Sequence, residues 1–338
     1  MTKKERFYAT IERRPVDRPA CWLGMPTEAA LPGLYTYFGA DNEYAFKKII
    51  DDDIWPVEIP FTPFDFSAQA ASNEERTLTH PGFFEAYEDA SAVDLFPWPN
   101  PADCMDVQEC ERLLDAAPEE YPVMAVLWSS HFQEACAAFG MQDAMVKMKI
   151  APELFEAVID KITDFYLGVN KIFYETTRGR LDAVLIGNDF GTQQGLIISK
   201  EDLRQFVFKG TKKLVEQAKS YGLKVFHHSC GAVSEVIPDI VACGADIVHP
   251  IQALAAGMEP EVLKTKFGDT TSFCGGVDAQ HLLVNGTPEQ IEEKVQQLAA
   301  LFPTGLIISP SHEAILPDIP PQNIEALFQS IKRTEKSL

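Results

Sequence analysis

The chain has 338 residues, 46% of them hydrophobic, and a formal net charge of −21. That length admits one large domain with an extensive core, and α/β barrels run to this size. Acidity argues against a nucleic-acid partner, which would need a basic face.

The seven cysteines are odd in number and follow no framework spacing, which fits a reducing compartment. The N-terminal MTKKERFYAT carries no apolar signal core, and no uncharged apolar run is long enough to span a bilayer. The expectation is therefore a cytoplasmic chain with no membrane partner. Monomer and homo-oligomer both stay open.

In chain order, the periodicity predicts an amphipathic helix from Lys3 to Arg13, closed by Pro15. A short strand follows at Ala20–Gly24, then a helix carrying Tyr35, Tyr37 and Phe38. A helical stretch through Tyr44–Ile50 feeds a second strand at Ile54–Ile59. Residues 61–121 break the rhythm with prolines and aromatics, a hairpin around Thr77–Tyr87 and a short helix near Val107–Ala116. So long an excursion is read either as a lid or as aromatics packed on the barrel.

From Pro122 the pattern is regular. Strands are expected at VMAVLW, AVLIG, KVFHHSC, ADIVHPIQ, SFCGGVD and GLIISPSH, with helices between them and a last helix at Pro321–Lys336. Eight near-continuous apolar strands alternating with helices predict a (β/α)8 barrel. It would form a single domain over 1–338, with an N-terminal helix and an insertion between strands 2 and 3. Its chemistry would gather at the strand C-termini.

Polar residues cluster at those strand ends. Alternation puts His228 and Cys230 on one face of the fifth strand, and imidazole with thiolate suits zinc. His312, at the end of the eighth strand, is the third candidate ligand; three ligands leave one position open, as catalytic zinc sites do. Cys274 reads as core, and His227 faces the helices, where it is expected to find a hydrogen-bond partner. Asp189 and Glu313 are the candidate catalytic carboxylates. Trp22, Asn188, Gln193, Gln252 and Asp278 are the candidate substrate contacts, with a capped loop start as the plainer reading of both Asp189 and Asp278. Gly275 and Gly276 suggest a positive-φ turn or a close backbone approach.

The segments HHSCGAVSEVIPDIVACGADIVHPIQ, GDTTSFCGGVDAQ and ISPSHEAILPDIPPQNIEALF, with the opening ERFYATIERRPVDRPACWLG, resemble one superfamily. It joins uroporphyrinogen decarboxylase to the cobalamin-dependent methyltransferases. The resemblance implies a (β/α)8 barrel with its cleft at the strand C-termini. It also implies, for the methyltransferase branch, zinc held by His-x-Cys and a distant cysteine, and a corrinoid carried by a partner protein. His228 and Cys230 match the first two ligands; Ser311 and His312 stand where the distant cysteine belongs. The decarboxylase branch matches less well. Its arginine motif for porphyrinogen carboxylates falls on Trp22–Tyr35, WLGMPTEAALPGLY, which holds no arginine. Its Gly-His-Gly histidine falls on His312, which would then contact substrate instead of metal.

The expected activity is methyl transfer with zinc as Lewis acid, either demethylating a methoxy-type substrate or methylating a thiol. Two imidazoles and one thiolate would leave zinc formally at +1, which favours the demethylating half. Metal-independent decarboxylation and a non-catalytic ligand-binding barrel are the alternatives.

Overall fold

In the computed structural model, residues 1–62 and 81–335 are described. Eight parallel strands form one sheet: β1 (Ala20–Cys21), β2 (Trp55–Glu58), β3 (Val123–Trp128), β4 (Ala183–Gly187), β5 (Lys224–His228), β6 (Ile247–Ile251), β7 (Ser272–Val277) and β8 (Leu306–Pro310). Hydrogen-bonded neighbours run β1-β8-β7-β6-β5-β4-β3-β2. This is the expected (β/α)8 arrangement.

Side-chain alternation divides each strand between two cores. Trp22, Met124, Leu185, Phe226, Ile247, Cys274 and Ile307 pack together in the barrel interior. Val184, Val225, Val248, Phe273 and Ile308 pack outward in the core that the helices share. Cys274 is therefore core, as its apolar strand predicts. The helix Lys3–Ile11 begins with a capping box: Thr2 accepts from the Glu5 amide and Glu5 accepts from the Thr2 amide.

The ladder among the described residues is not closed between β1 and β2. Carboxylates fill the gap. The Cys21 amide donates to Asp53 at 3.0 Å and the Leu23 amide to Asp52 at 3.3 Å. Asp53 is fully buried and is paired with Arg6 at 2.6 Å and Arg18 at 2.8 Å. Lys47 caps Asp52 at 2.6 Å. Strand-edge amides buried here would be costly without an acceptor, and the Asp51-Asp52-Asp53 run supplies it.

Of the 61–121 excursion, residues 63–80 lie outside the described residues, and with them Phe64, Phe66, His80 and the first arm of the expected hairpin. Residues 83–86 form a turn. Phe84 is buried and stacks on Trp98 with centroids 5.5 Å apart, and meets Phe139 at 6.0 Å. Phe61 meets Phe165 at 6.2 Å. These described aromatics pack on the outer helices, the plainer of the two sequence readings.

The helix expected over Lys200–Tyr221 contains a π turn at Leu203–Val207 before continuing as Phe208–Ser220. Gly275 and Gly276 have φ of 124° and 100°. A Cβ at Gly275 would stand 2.5 Å from the Ile251 nitrogen, so its close approach is to the neighbouring strand β6.

Candidate functional site

β5 carries His228 inward at its C-terminal end, and Gly187 on β4 makes room for it. A Cβ at Gly187 would lie 2.0 Å from the His228 carbonyl oxygen. His228 is 4% exposed, so whatever its two ring nitrogens meet decides its chemistry. Nε2 faces Cys230 Sγ at 3.4 Å and Asp189 Oδ1 at 3.3 Å. Nδ1 faces His249 Nδ1 at 3.0 Å and Glu313 Oε2 at 3.5 Å.

Two donor sets therefore share His228. Asp189, His228 and Cys230 converge on one side of the ring, and His228, His249 and Glu313 on the other. Tetrahedral zinc with ordinary Zn–N, Zn–O and Zn–S bonds would hold its donor atoms about 3.3–3.6 Å apart. The Nε2–Sγ and Nε2–Oδ1 separations of 3.4 and 3.3 Å fit that spacing. A ring nitrogen held by a carboxylate on the far side is the usual support of a metal-bound histidine. Glu313 stands there, and its Oε2 is buried without a hydrogen-bond partner.

Burial disfavours a charged His228, but the hydrogen bonds to Asp189 and Cys230 and the Glu313 charge outweigh it and raise the pKa to about 10. Burial likewise pushes the Cys230 thiol up, while hydrogen bonds from His228 and His312 prevail and lower it. Asp189 follows the same logic: burial raises it, and His228 brings it down to about 2. His249 moves the other way. Burial, then the charges of His228 and His312, hold it well below the usual imidazole range.

His312 is half-buried beside Cys230. The Ala314 amide donates to its Nδ1 at 3.0 Å, so the proton of the neutral ring sits on Nε2. His312 lies close enough to Cys230 to help lower the thiol's pKa, and Nε2 is the ring nitrogen left to face it. Ligation through Nε2 would strip both nitrogens of protons. Asp189, expected as a catalytic carboxylate, converges with His228 and Cys230, and His312, expected as a ligand, lies beside that set.

The other candidates are distributed as follows. Asn188 accepts from the Phe132 amide at 2.9 Å, which ties β4 to the helix His131–Phe139. Gln252 accepts from the Gly231 amide at 2.5 Å and so borders the cluster. Trp22 is wholly buried in the barrel interior, with its ring 5.4 Å from His249. The Gln193 carbonyl accepts from the Ala256 amide at 3.0 Å, tying two loops together. Asp278 accepts from the amides of Gln280, His281 and Leu282, at 3.2, 2.7 and 2.7 Å. That is the capped loop start of the plainer reading. His227 is buried against Phe190, and neither ring nitrogen has a hydrogen-bond partner. The hydrogen bond expected for it is absent; burial holds its pKa down at about 3 and keeps it neutral.

One neighbour was not legible in advance, and a second was given no role. Trp128 sets its ring edge on His228 at 5.1 Å from a backbone with φ of 54°, a strained region for a bulky residue. His249 was visible only as a polar residue closing an apolar strand.

Such a barrel, with a thiol, two imidazoles and two carboxylates packed at its C-terminal mouth, defines an α/β barrel with a metal-capable centre. Residues 77–334 match the uroporphyrinogen decarboxylase (URO-D) family, and the chain belongs to that family. It is 26% identical over 176 residues to a methylated-thiol–coenzyme M methyltransferase of Methanosarcina mazei, covering 52% of this chain and 44% of the relative. It is 25% identical over 143 residues to a uroporphyrinogen decarboxylase of Rickettsia bellii, covering 41% of this chain and 39% of the relative. The matches thus span less than half the length of either curated relative. A solved methyltransferase from Methanosarcina mazei shares the fold, with a TM-score of 0.70 at 16% identity over 98% of this chain and 99% of that one. Among the described residues, no helix is long and apolar enough to cross a membrane.

Proposed function

We propose that this chain is a zinc-dependent methyltransferase that works with a corrinoid protein and methylates a thiol. The convergence of Asp189 Oδ1, His228 Nε2 and Cys230 Sγ carries the reading. Similarity to a methylated-thiol methyltransferase supports it. The seven cysteines are all unpaired, which suits the cytoplasm.

Asp189, His228 and Cys230 would hold the zinc, which would supply the Lewis acidity that deprotonates a substrate thiol at neutral pH. Asp189 and Cys230 each bring one negative charge, so the divalent centre is formally neutral. A formally neutral centre would suit a thiol substrate. The +1 centre expected with His312 would instead favour an oxygen substrate, so exchanging Asp189 for His312 reverses that preference. Glu313, with its Oε2 3.5 Å from His228 Nδ1, supplies negative charge that favours a proton on Nδ1 and so leaves Nε2 to face the metal. His312, with Nε2 left to face Cys230, would donate to the thiolate and keep it in place. Trp128 covers the His228 ring and shields it from water.

Metal analysis and a methyl-transfer assay with methylcobalamin test this. The purified protein should carry about one zinc per chain and methylate a small thiol. Cys230→Ser should strip the metal without unfolding the barrel, and Glu313→Gln should weaken zinc affinity about 10–100-fold. A metal-free protein that releases CO2 from a porphyrinogen would replace the reading with decarboxylation.

A further inference from the structure

Beside His312 opens a cavity of about 320 Å³, set between the loops that follow β6, β7 and β8. That volume is at the lower end of small-molecule sites. Its inner end is formed by Gln252 and His312, the two residues that also touch the Gly231 amide and Cys230. Its walls are apolar, with Val284, Leu316 and Ile319, and its outer rim carries the carboxylate of Asp318. Among the described residues, no lysine, arginine, phenylalanine, tyrosine or tryptophan lines it; the imidazole of His312 is its one ring.

We propose that this cavity is the subsite for the thiol's body, and that it takes an uncharged thiol. The inference rests on the methyltransferase reading for the word thiol, and on the cavity alone for the charge. An anionic substituent such as a carboxylate or sulfonate would lose its water with no lysine or arginine to meet it. A quaternary ammonium group would find no phenyl, phenol or indole face, the usual means of recognising one, and Asp318 is an exposed, solvent-screened partner for it. An uncharged aliphatic or aryl body meets Val284, Leu316 and Ile319, and its sulfur would lie toward His312 and Cys230.

Direct binding separates the cavity from the reaction. The probes are benzyl methyl sulfide, its 4-carboxylate and its 4-trimethylammonium derivative; each lacks a thiolate. Ligand-observed NMR on the purified full chain would give their affinities with no corrinoid present. The uncharged probe should bind at least about tenfold tighter than either charged one. Leu316 is 50% exposed, so changes there leave the fold intact. Leu316→Trp should fill the cavity and weaken the uncharged probe about tenfold or more. Leu316→Lys should shift preference toward the carboxylate.

Equal or tighter binding of the carboxylate by the parent protein would overturn the proposal. So would uncharged-probe binding that ignores Leu316→Trp. Failure of thiol methylation with these binding results intact would count against the methyltransferase reading and leave the cavity's selectivity standing.

Discussion

The two ends of the barrel each bury a cluster of ionisable groups, and they differ in how those groups are satisfied. At the N-terminal end, Asp53 accepts from Arg6, Arg18 and the Cys21 amide, and Asp17 pairs with Arg6 at 2.8 Å and the N-terminus at 2.7 Å. At the C-terminal end, Glu313 Oε2 and His249 Nε2 are buried with no hydrogen-bond partner, and His228 is shared between two donor sets. Charge and burial alone do not separate structure from function, since both clusters perturb their members. Complete pairing marks the end that holds the barrel together. Incomplete pairing marks the end left ready for a cation.

The largest effect should come from breaking the paired end. Asp53→Asn leaves Arg6 and Arg18 short of a buried negative charge, a change that costs about 3–5 kcal/mol. Urea unfolding should show the loss, while the zinc affinity of the folded fraction stays within about twofold, since these residues lie at the opposite end from the cluster. Loss of zinc without loss of stability would reverse the assignment of the two ends.

Acid should separate the ends in a second way. Asp17 and Asp51 have pKa values held below the ordinary carboxylate range: burial raises them, but Arg6 and the N-terminus outweigh it at Asp17, and Lys3 and Arg18 at Asp51. A lowered folded-state pKa stabilises above the unfolded value near pH 4 and is lost as pH falls through the folded value. The ion network should thus hold until strongly acidic pH. Metal ligands must be deprotonated, and protons compete for His228 and Cys230 at much milder pH. A titration followed by metal release and by circular dichroism should show zinc leaving first. Simultaneous release and unfolding would mean that the two ends are one cooperative unit.

The sequence carried the fold because eight apolar runs, each ending in polar residues, leave few arrangements open. His228 and Cys230 were legible because strand alternation alone puts them on one face. Asp189 was noticed as a strand end, but its approach to His228 depends on the register of β4 against β5, which pairs Gly187 with His228. The His312 tautomer depends on a single amide, that of Ala314, which no pattern announces. The open seam was hidden for a similar reason. The Asp51-Asp52-Asp53 run falls between a predicted helix and a predicted strand, and no pattern there shows that β1 needs its oxygens.

Asp278 offers the smallest effect and a sharp distinction between cap and contact. Its carboxylate takes the amides of Gln280, His281 and Leu282, at the start of the short helix Leu282–Asn285. Removing such a cap costs about 1 kcal/mol, and an asparagine in its place retains most of the stabilisation. Asp278→Ala should therefore lower the urea midpoint slightly, and Asp278→Asn should restore it. Zinc content should stay at the parent level in both, because Asp278 belongs to neither donor set. The affinity for benzyl methyl sulfide should also hold in Asp278→Asn, since the loop that carries Ala279 and Gln280 to the cavity wall keeps its anchor. A contact with substrate would behave differently. Both variants would then lose probe affinity, and the asparagine would not restore it, because the charge would be what the substrate reads. Stability rescued by Asp278→Asn together with unchanged binding assigns the residue to the loop it caps.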